Sequence, residues 1–175
     1  PKVIIAADGY YFKDIAFDSL KKLNGILANL SSVEKVIIVK YINKGQISYI
    51  PNAVWWNDFS TSTTASLEFE QLPFNHPLYI MYSSGTTDKP KSIVHSAGGT
   101  LIQHLKELIL HTNLKRDDTI FYFTTCGWMM WNWLVSSLSV GSTVVLYDGN
   151  PFHPGPDALL KIAAATKINL FGTSA

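Results

Sequence analysis

Apolar residues in this 175-residue chain fall into short continuous runs separated by stretches of helical periodicity. Val3, Ile4, Ile5, Ala6 and Ala7 read as a buried strand that ends at an Asp8-Gly9 turn. Leu20, Leu23, Leu27 and Leu30 then recur at helical spacing, which predicts a helix over about residues 14–29. The next apolar run, Val36 to Val39, is a second strand, and two strands joined by a helix make a βαβ unit with a parallel pair. Residues 43–77 show no regular period. They include a Ser/Thr-rich run over 60–66 that reads as an exposed loop, with Trp55, Trp56 and Phe59 as its anchors.

The second half is more regular. Strands at 78–82 and 93–94 flank a polar turn at 83–90, and Gly98-Gly99 leads into a helix over 100–111. That helix has Leu101, Leu105, Leu108 and Ile109 on one face, with Lys106 and Glu107 outside. Strand 120–123, a Trp-rich helix at 130–138, strand 144–147, helix 157–165 and strand 168–171 complete the run. The alternation predicts an α/β fold: a largely parallel sheet with helices on both faces. No internal repeat and no domain boundary is visible in the composition.

Charge changes this picture at one point. Lys and Arg number 14, Asp and Glu 13, together 15% of the chain, where soluble domains carry about 25%. A net charge of +1 gives no basic footprint for nucleic acid. No charged residue stands between Asp118 and Asp148, a run of 29 residues and long enough for a bilayer. Ser, Thr, Gly and Asn residues interrupt it, its ends are β-like and no basic cluster flanks it, so a buried strand–helix–strand unit is expected rather than a membrane span. The single cysteine, Cys126, excludes an internal disulfide framework and a cysteine-based zinc site; it fits a reducing, cytoplasmic compartment and a buried, unreactive thiol.

Candidate chemistry concentrates in one loop. Ser83, Ser84, Gly85, Thr86, Thr87, Asp88, Lys89, Pro90 and Lys91 follow an apolar strand. Hydroxyls and backbone N–H groups at a strand end wrap phosphate oxygens, lysine adds positive charge, and Gly85 lets the backbone come close to a ligand. The loop is not a Walker A motif, because Pro90 stands five positions after Gly85, and the chain has no G-x-G-x-x-G. Composition alone leaves an ordinary polar hairpin open.

The string S-S-G-T-T-D-K-P-K resembles the phosphate-loop signature of the adenylate-forming (acyl-CoA synthetase, AMP-binding) superfamily. Flanking strings resemble its acetoacetyl-CoA synthetase branch: Phe74 to Leu78, Ile93 to Ser96 with Gly98-Gly99, Thr124 to Asn132 (T-T-C-G-W-M-M-W-N), Leu146 to Pro151 (L-Y-D-G-N-P) and Phe171 to Ala175. The resemblance implies a two-step ligation in which a carboxylate attacks the α-phosphate of ATP, and coenzyme A then displaces AMP from the acyl adenylate. It implies that Ser83, Ser84, Gly85, Thr86, Thr87 and Lys91 contact phosphates with Mg2+ sharing the charge, and that Trp128, Met129 and Met130 line an acyl pocket for a short keto acid such as acetoacetate.

For Trp131 and Trp133, plain core packing is the expected role. Asp88 departs from the signature, which has glycine there; a carboxylate beside a triphosphate repels it unless Mg2+ or Lys89 compensates. Residues 1–175 are expected to be a partial N-terminal domain. The family's catalytic lysine and C-terminal lid would lie elsewhere, so no catalytic or metal-ligating residue is assigned here and no turnover is expected from this stretch alone. Apolar faces left bare would promote association. Another short-chain acyl-CoA synthetase, or a non-catalytic nucleotide-binding module, is the alternative. The five histidines (76, 95, 104, 111 and 153) lack metal-like spacing and are expected to be structural or solvent-facing.

Overall fold

The computed structural model describes residues 1–60, 66–84 and 89–173. Its contacts divide the chain into two compact units, Pro1–Leu67 with Asp148–Pro154, and Glu68–Tyr147 with Gly155–Ala175. No linker composition marks this division, because the chain leaves the first unit and returns to it.

In the first unit the elements run β1 (Val3–Ala7), β2 (Gly9–Phe12), β3 (Ile15–Asp18), α1 (Leu20–Leu27), β4 (Lys35–Val39), β5 (Ala53–Trp55) and α2 (Trp56–Phe59). The expected parallel pair forms, with Ile4 opposite Val36 and Ala6 opposite Ile38, and β5 joins the other side of β4 to give the order β1-β4-β5. The strand β5 lies in the stretch expected to be irregular; three residues are too few to show a period. Val36 and Ile38 in the central strand pack with Leu20, Leu23 and Ile50. The first strand is less buried than its composition suggests, since Val3 and Ile5, which share one face of it, are exposed.

The helix predicted from residue 14 starts at Leu20. Residues 9–18 form an antiparallel hairpin, in which Lys13 and Asp14 take positive φ values of 49° and 63° and make its two-residue turn. Tyr10 and Phe17 pair across it with ring centroids 5.1 Å apart. Cross-strand aromatic pairing outcompetes helix here. The Asp18 carboxylate accepts the Leu20 N–H at 2.7 Å, satisfying one of the free donors at the helix start.

The second unit contains β6 (Pro77–Ser83), β7 (Lys91–Ser96), α3 (Ala97–Leu105), a π-helical turn (Lys106–His111), β8 (Thr119–Tyr122), α4 (Met129–Ser136), a 3-10 turn (Ser137–Val140), β9 (Thr143–Val144), α5 (Ala158–Thr166) and β10 (Leu170–Gly172). The uncharged 29-residue run is the parallel unit β8–α4–β9, and no helix among the described residues is long and apolar enough to cross a membrane. With β10 added the order is β10-β8-β9, all parallel, over a core of Leu108, Leu114, Ile120 and Leu134. The α/β class therefore holds. The parallel strands form two three-stranded sheets, however, and β2-β3 and β6-β7 are separate antiparallel hairpins. Strand pairing around 144–147 is confined to Thr143–Val144, and the last strand begins at Leu170 rather than 168. Apolar exposure is extensive, as expected from the low charge: Ile80, Tyr82 and Leu110 are among the exposed side chains.

Asp8 is more than a turn residue. It is fully buried, and its carboxylate accepts backbone N–H groups of Tyr41 (2.8 Å), Ile42 (2.9 Å) and Lys44 (3.3 Å). The chain leaving β4 is thereby tied to the end of β1. Removing the acceptor strands buried donors, so Asp8→Ala is expected to lower folding stability by about 3 kcal/mol, with Asp8→Asn recovering part of it. Urea denaturation of the full-length product measures this, and a loss under about 0.5 kcal/mol, the range of ordinary surface changes, would contradict it.

Candidate functional site

The hydroxyl-rich loop closes the β6–β7 hairpin. Ser83 pairs with Lys91 at its base, Tyr82 with Ser92 and Met81 with Ile93. Ser83, Ser84 and Lys91 are exposed. Gly85, Thr86, Thr87 and Asp88 lie outside the described residues, as do 61–65 of the Ser/Thr-rich run. Ser83 and Lys91 are thus opposite each other across the ladder although eight positions apart in sequence.

The strand β7 delivers the chain into α3. Ser96 caps the helix, its hydroxyl oxygen accepting the Gly99 N–H at 3.3 Å. Gly98 sits against the Phe74 ring, where a Cβ would overlap ring carbons. Beyond this start, α3 and α4 wall a cavity of about 520 Å³, lined by His95, Ser96, Gly99, Thr100, Gln103, His104, Glu107, Met129, Met130 and Trp133. A second cavity of about 520 Å³ lies between β6 and the turn before α4, with Tyr79, Met81, Cys126, Gly127, Trp128 and Asn132 in its wall. Met129 borders both.

The three predicted acyl-pocket residues are therefore distributed: Met129 and Met130 line the first cavity, Trp128 and Met129 the second. Trp133 packs against the Leu108 core and meets the Tyr122 ring edge-on at 6.0 Å, as expected of a core residue, and its other side lines the first cavity. Cys126 is exposed, contrary to the buried role expected for it, because it stands in the turn between β8 and α4.

His104 is buried, as a structural histidine should be, and it also lines the cavity along with His95. The signal for this was the four-residue spacing of Thr100 and His104, which puts both on one face of α3. The Nδ1 atom of His104 lies 2.8 Å from Ser136 Oγ, whose own hydroxyl donates to the Asn132 carbonyl at 3.0 Å. With that proton committed, Nδ1 carries the hydrogen and Nε2 is left as an acceptor. Burial, and secondarily the charge of His95, lower the His104 pKa below 6.5 and favour the neutral ring. Glu107 is held by Lys106 and His111, each at 3.0 Å, and by the Gln103 amide at 3.0 Å; the Lys106 hydrogen bond is the main cause of its lowered pKa. Among the described residues no three His, Cys, Asp or Glu side chains converge to hold a metal.

The sequence comparison decides the family: the profile of the AMP-binding enzyme family matches residues 1–174. The chain belongs to the AMP-binding enzyme family. Within it, an acetoacetyl-CoA synthetase of Danio rerio is 49% identical over the whole chain, which covers 27% of that protein. A malonamoyl-CoA synthetase of Penicillium aethiopicum is 37% identical, again over the whole chain and 27% of its own length. Among solved structures, the acetoacetyl-CoA synthetase from Streptomyces lividans superposes with a TM-score of 0.91 at 41% identity, covering 99% of this chain and 26% of that one. The chain thus spans about a quarter of the length of the family relatives it matches.

The sign of the His104 effect is fixed by its lowered pKa. Above 6.5 neither folded nor unfolded ring binds a proton; as pH falls below 6.5 the unfolded ring takes one up first, so stability declines over that window. Urea midpoints between pH 7.5 and 5 should therefore drop more steeply in the unsubstituted protein than in His104→Asn, which keeps a donor in place of Nδ1. Parallel slopes would contradict the assignment.

Proposed function

We propose that residues 1–175 form part of the large N-terminal domain of an ATP-dependent ligase that joins a short 3-oxo acid, acetoacetate in the first instance, to coenzyme A. The observation that carries this reading is the pocket beside Met129 and Met130, set directly after Gly127-Trp128, in a chain 49% identical to an acetoacetyl-CoA synthetase. A cavity of about 520 Å³ suits a small substrate.

In the first step a carboxylate oxygen bonds to the α-phosphorus of ATP and the bond to pyrophosphate breaks. In the second the coenzyme A sulfur bonds to the acyl carbon, the bond to AMP breaks, and the thiol proton passes to a base. Ser83, Ser84, Gly85, Thr86, Thr87 and Lys91 would hold the departing phosphates, where charge builds up as pyrophosphate leaves. The pairing of Ser83 with Lys91 supports this by setting a serine opposite a lysine at the loop base. Mg2+ enters as the counter-ion of ATP, coordinated chiefly by phosphate and water as this ion prefers. The C-terminal lid and its lysine belong to the remainder of such a ligase. The reading takes Cys126 as a free thiol in a reducing, cytoplasmic setting, and the exposed apolar side chains as faces for association.

The test is acid-dependent exchange of labelled pyrophosphate into ATP by the full-length product. Exchange driven by acetoacetate at least about tenfold above background is expected. Exchange with acetate or propionate but not acetoacetate would make it a relative with another acid, and none with any acid would make it a non-catalytic module.

A further inference from the structure

We propose that Thr100 is a specificity-determining residue whose hydroxyl donates a hydrogen bond to the 3-oxo oxygen of the acid; this rests on the ligase reading above. Thr100 stands one turn before His104 on α3 and lines the same cavity as Met129 and Met130. It is 6% exposed, and its Oγ1 has no hydrogen-bond partner among the described residues. Buried hydroxyls are ordinarily satisfied; this one is closed off from the cavity as it stands, and a χ1 turn that brings it to the wall lets a ligand atom complete the bond. Threonine in a helix has two accessible χ1 states, and rotation exchanges its hydroxyl with its methyl at the wall.

Several neighbouring polar groups are already engaged. Ser96 caps α3, the Gln103 amide donates to Glu107, and His104 Nδ1 is bonded to Ser136. The lining includes Glu107 and no lysine or arginine. With a carboxylate and two imidazoles in the wall and no permanent cation, the space favours a neutral acceptor at Thr100, a ketone or amide carbonyl. Acetoacetyl and malonamoyl, the acyl groups named for two of the relatives, differ at their ends in a methyl against an amino group and share the carbonyl at C3. Thr100 supplies the donor that this shared atom requires, and the Met129–Met130 wall receives the variable end.

The test compares kcat/KM for acetoacetate and for butyrate, which has CH2 in place of the oxo group, in the full-length product and its Thr100→Val and Thr100→Ser variants. Thr100→Val is expected to lower the acetoacetate-to-butyrate ratio about 10- to 100-fold by loss of one donor to the ligand, mostly through acetoacetate. Thr100→Ser, which keeps the hydroxyl, should hold the ratio within about threefold. Equal change for both acids in Thr100→Val, or no change, would overturn the proposal and leave the hydroxyl a structural one. If the unsubstituted protein uses both acids equally well, the ligase reading stands and the role of Thr100 falls. If it uses neither, the ligase reading itself fails and takes this role with it.

Discussion

The hydrogen bond between His104 and Ser136 sets the geometry on which the candidate site depends. It joins α3 to α4 across a buried boundary at 2.8 Å, and it spends the one side of the imidazole that could otherwise float. Because Ser136 is itself bonded to the Asn132 carbonyl, the bond is directional, and the ring has a single tautomer that satisfies every partner. The spacing of the two helices then leaves room for a cavity instead of closing on side chains. Thr100 and Met129 face one space because His104, one turn along α3, is anchored to α4.

The loop and the cavity answer different chemical demands. A triphosphate asks for donors and positive charge, which in the proposed ligase Ser83, Ser84 and Lys91 at the end of an antiparallel hairpin would help provide. A small neutral acyl chain asks for a bounded, mostly apolar space with few well-placed polar groups, which in the proposed ligase methionine and tryptophan on α4 and threonine on α3 would provide. The short β7 strand and the Ser96 cap connect the two, so the loop base and the cavity are built on consecutive elements of one unit.

Long periodic elements were legible from the sequence because burial dictates their pattern. The run from Val36 to Val39 appears where expected, and a helix forms near residues 100–111, but its buried face is Thr100, His104 and Leu108, with Leu101 and Ile109 exposed. Elements decided by local geometry were not legible. The Tyr10–Phe17 hairpin was hidden because its turn uses lysine and aspartate at positive φ, where glycine or asparagine would have announced it. Strand β5 was too short to alternate. For the candidate site, motif strings single out Ser83, Lys91, Met129 and Met130, whereas Thr100 and His104 carry no motif; their place in the cavity wall emerges only when α4 is brought against α3.

The most direct test of this account is a crystal structure of the full-length product with a non-hydrolysable acetoacetyl-adenylate mimic. The acyl group should lie in the cavity between α3 and α4, against Met129 and Met130, with its 3-oxo oxygen within hydrogen-bond reach, about 2.7–3.2 Å, of Thr100 Oγ1. An acyl group seated in the neighbouring cavity beside Cys126 and Trp128, with the α3–α4 space empty, would contradict it.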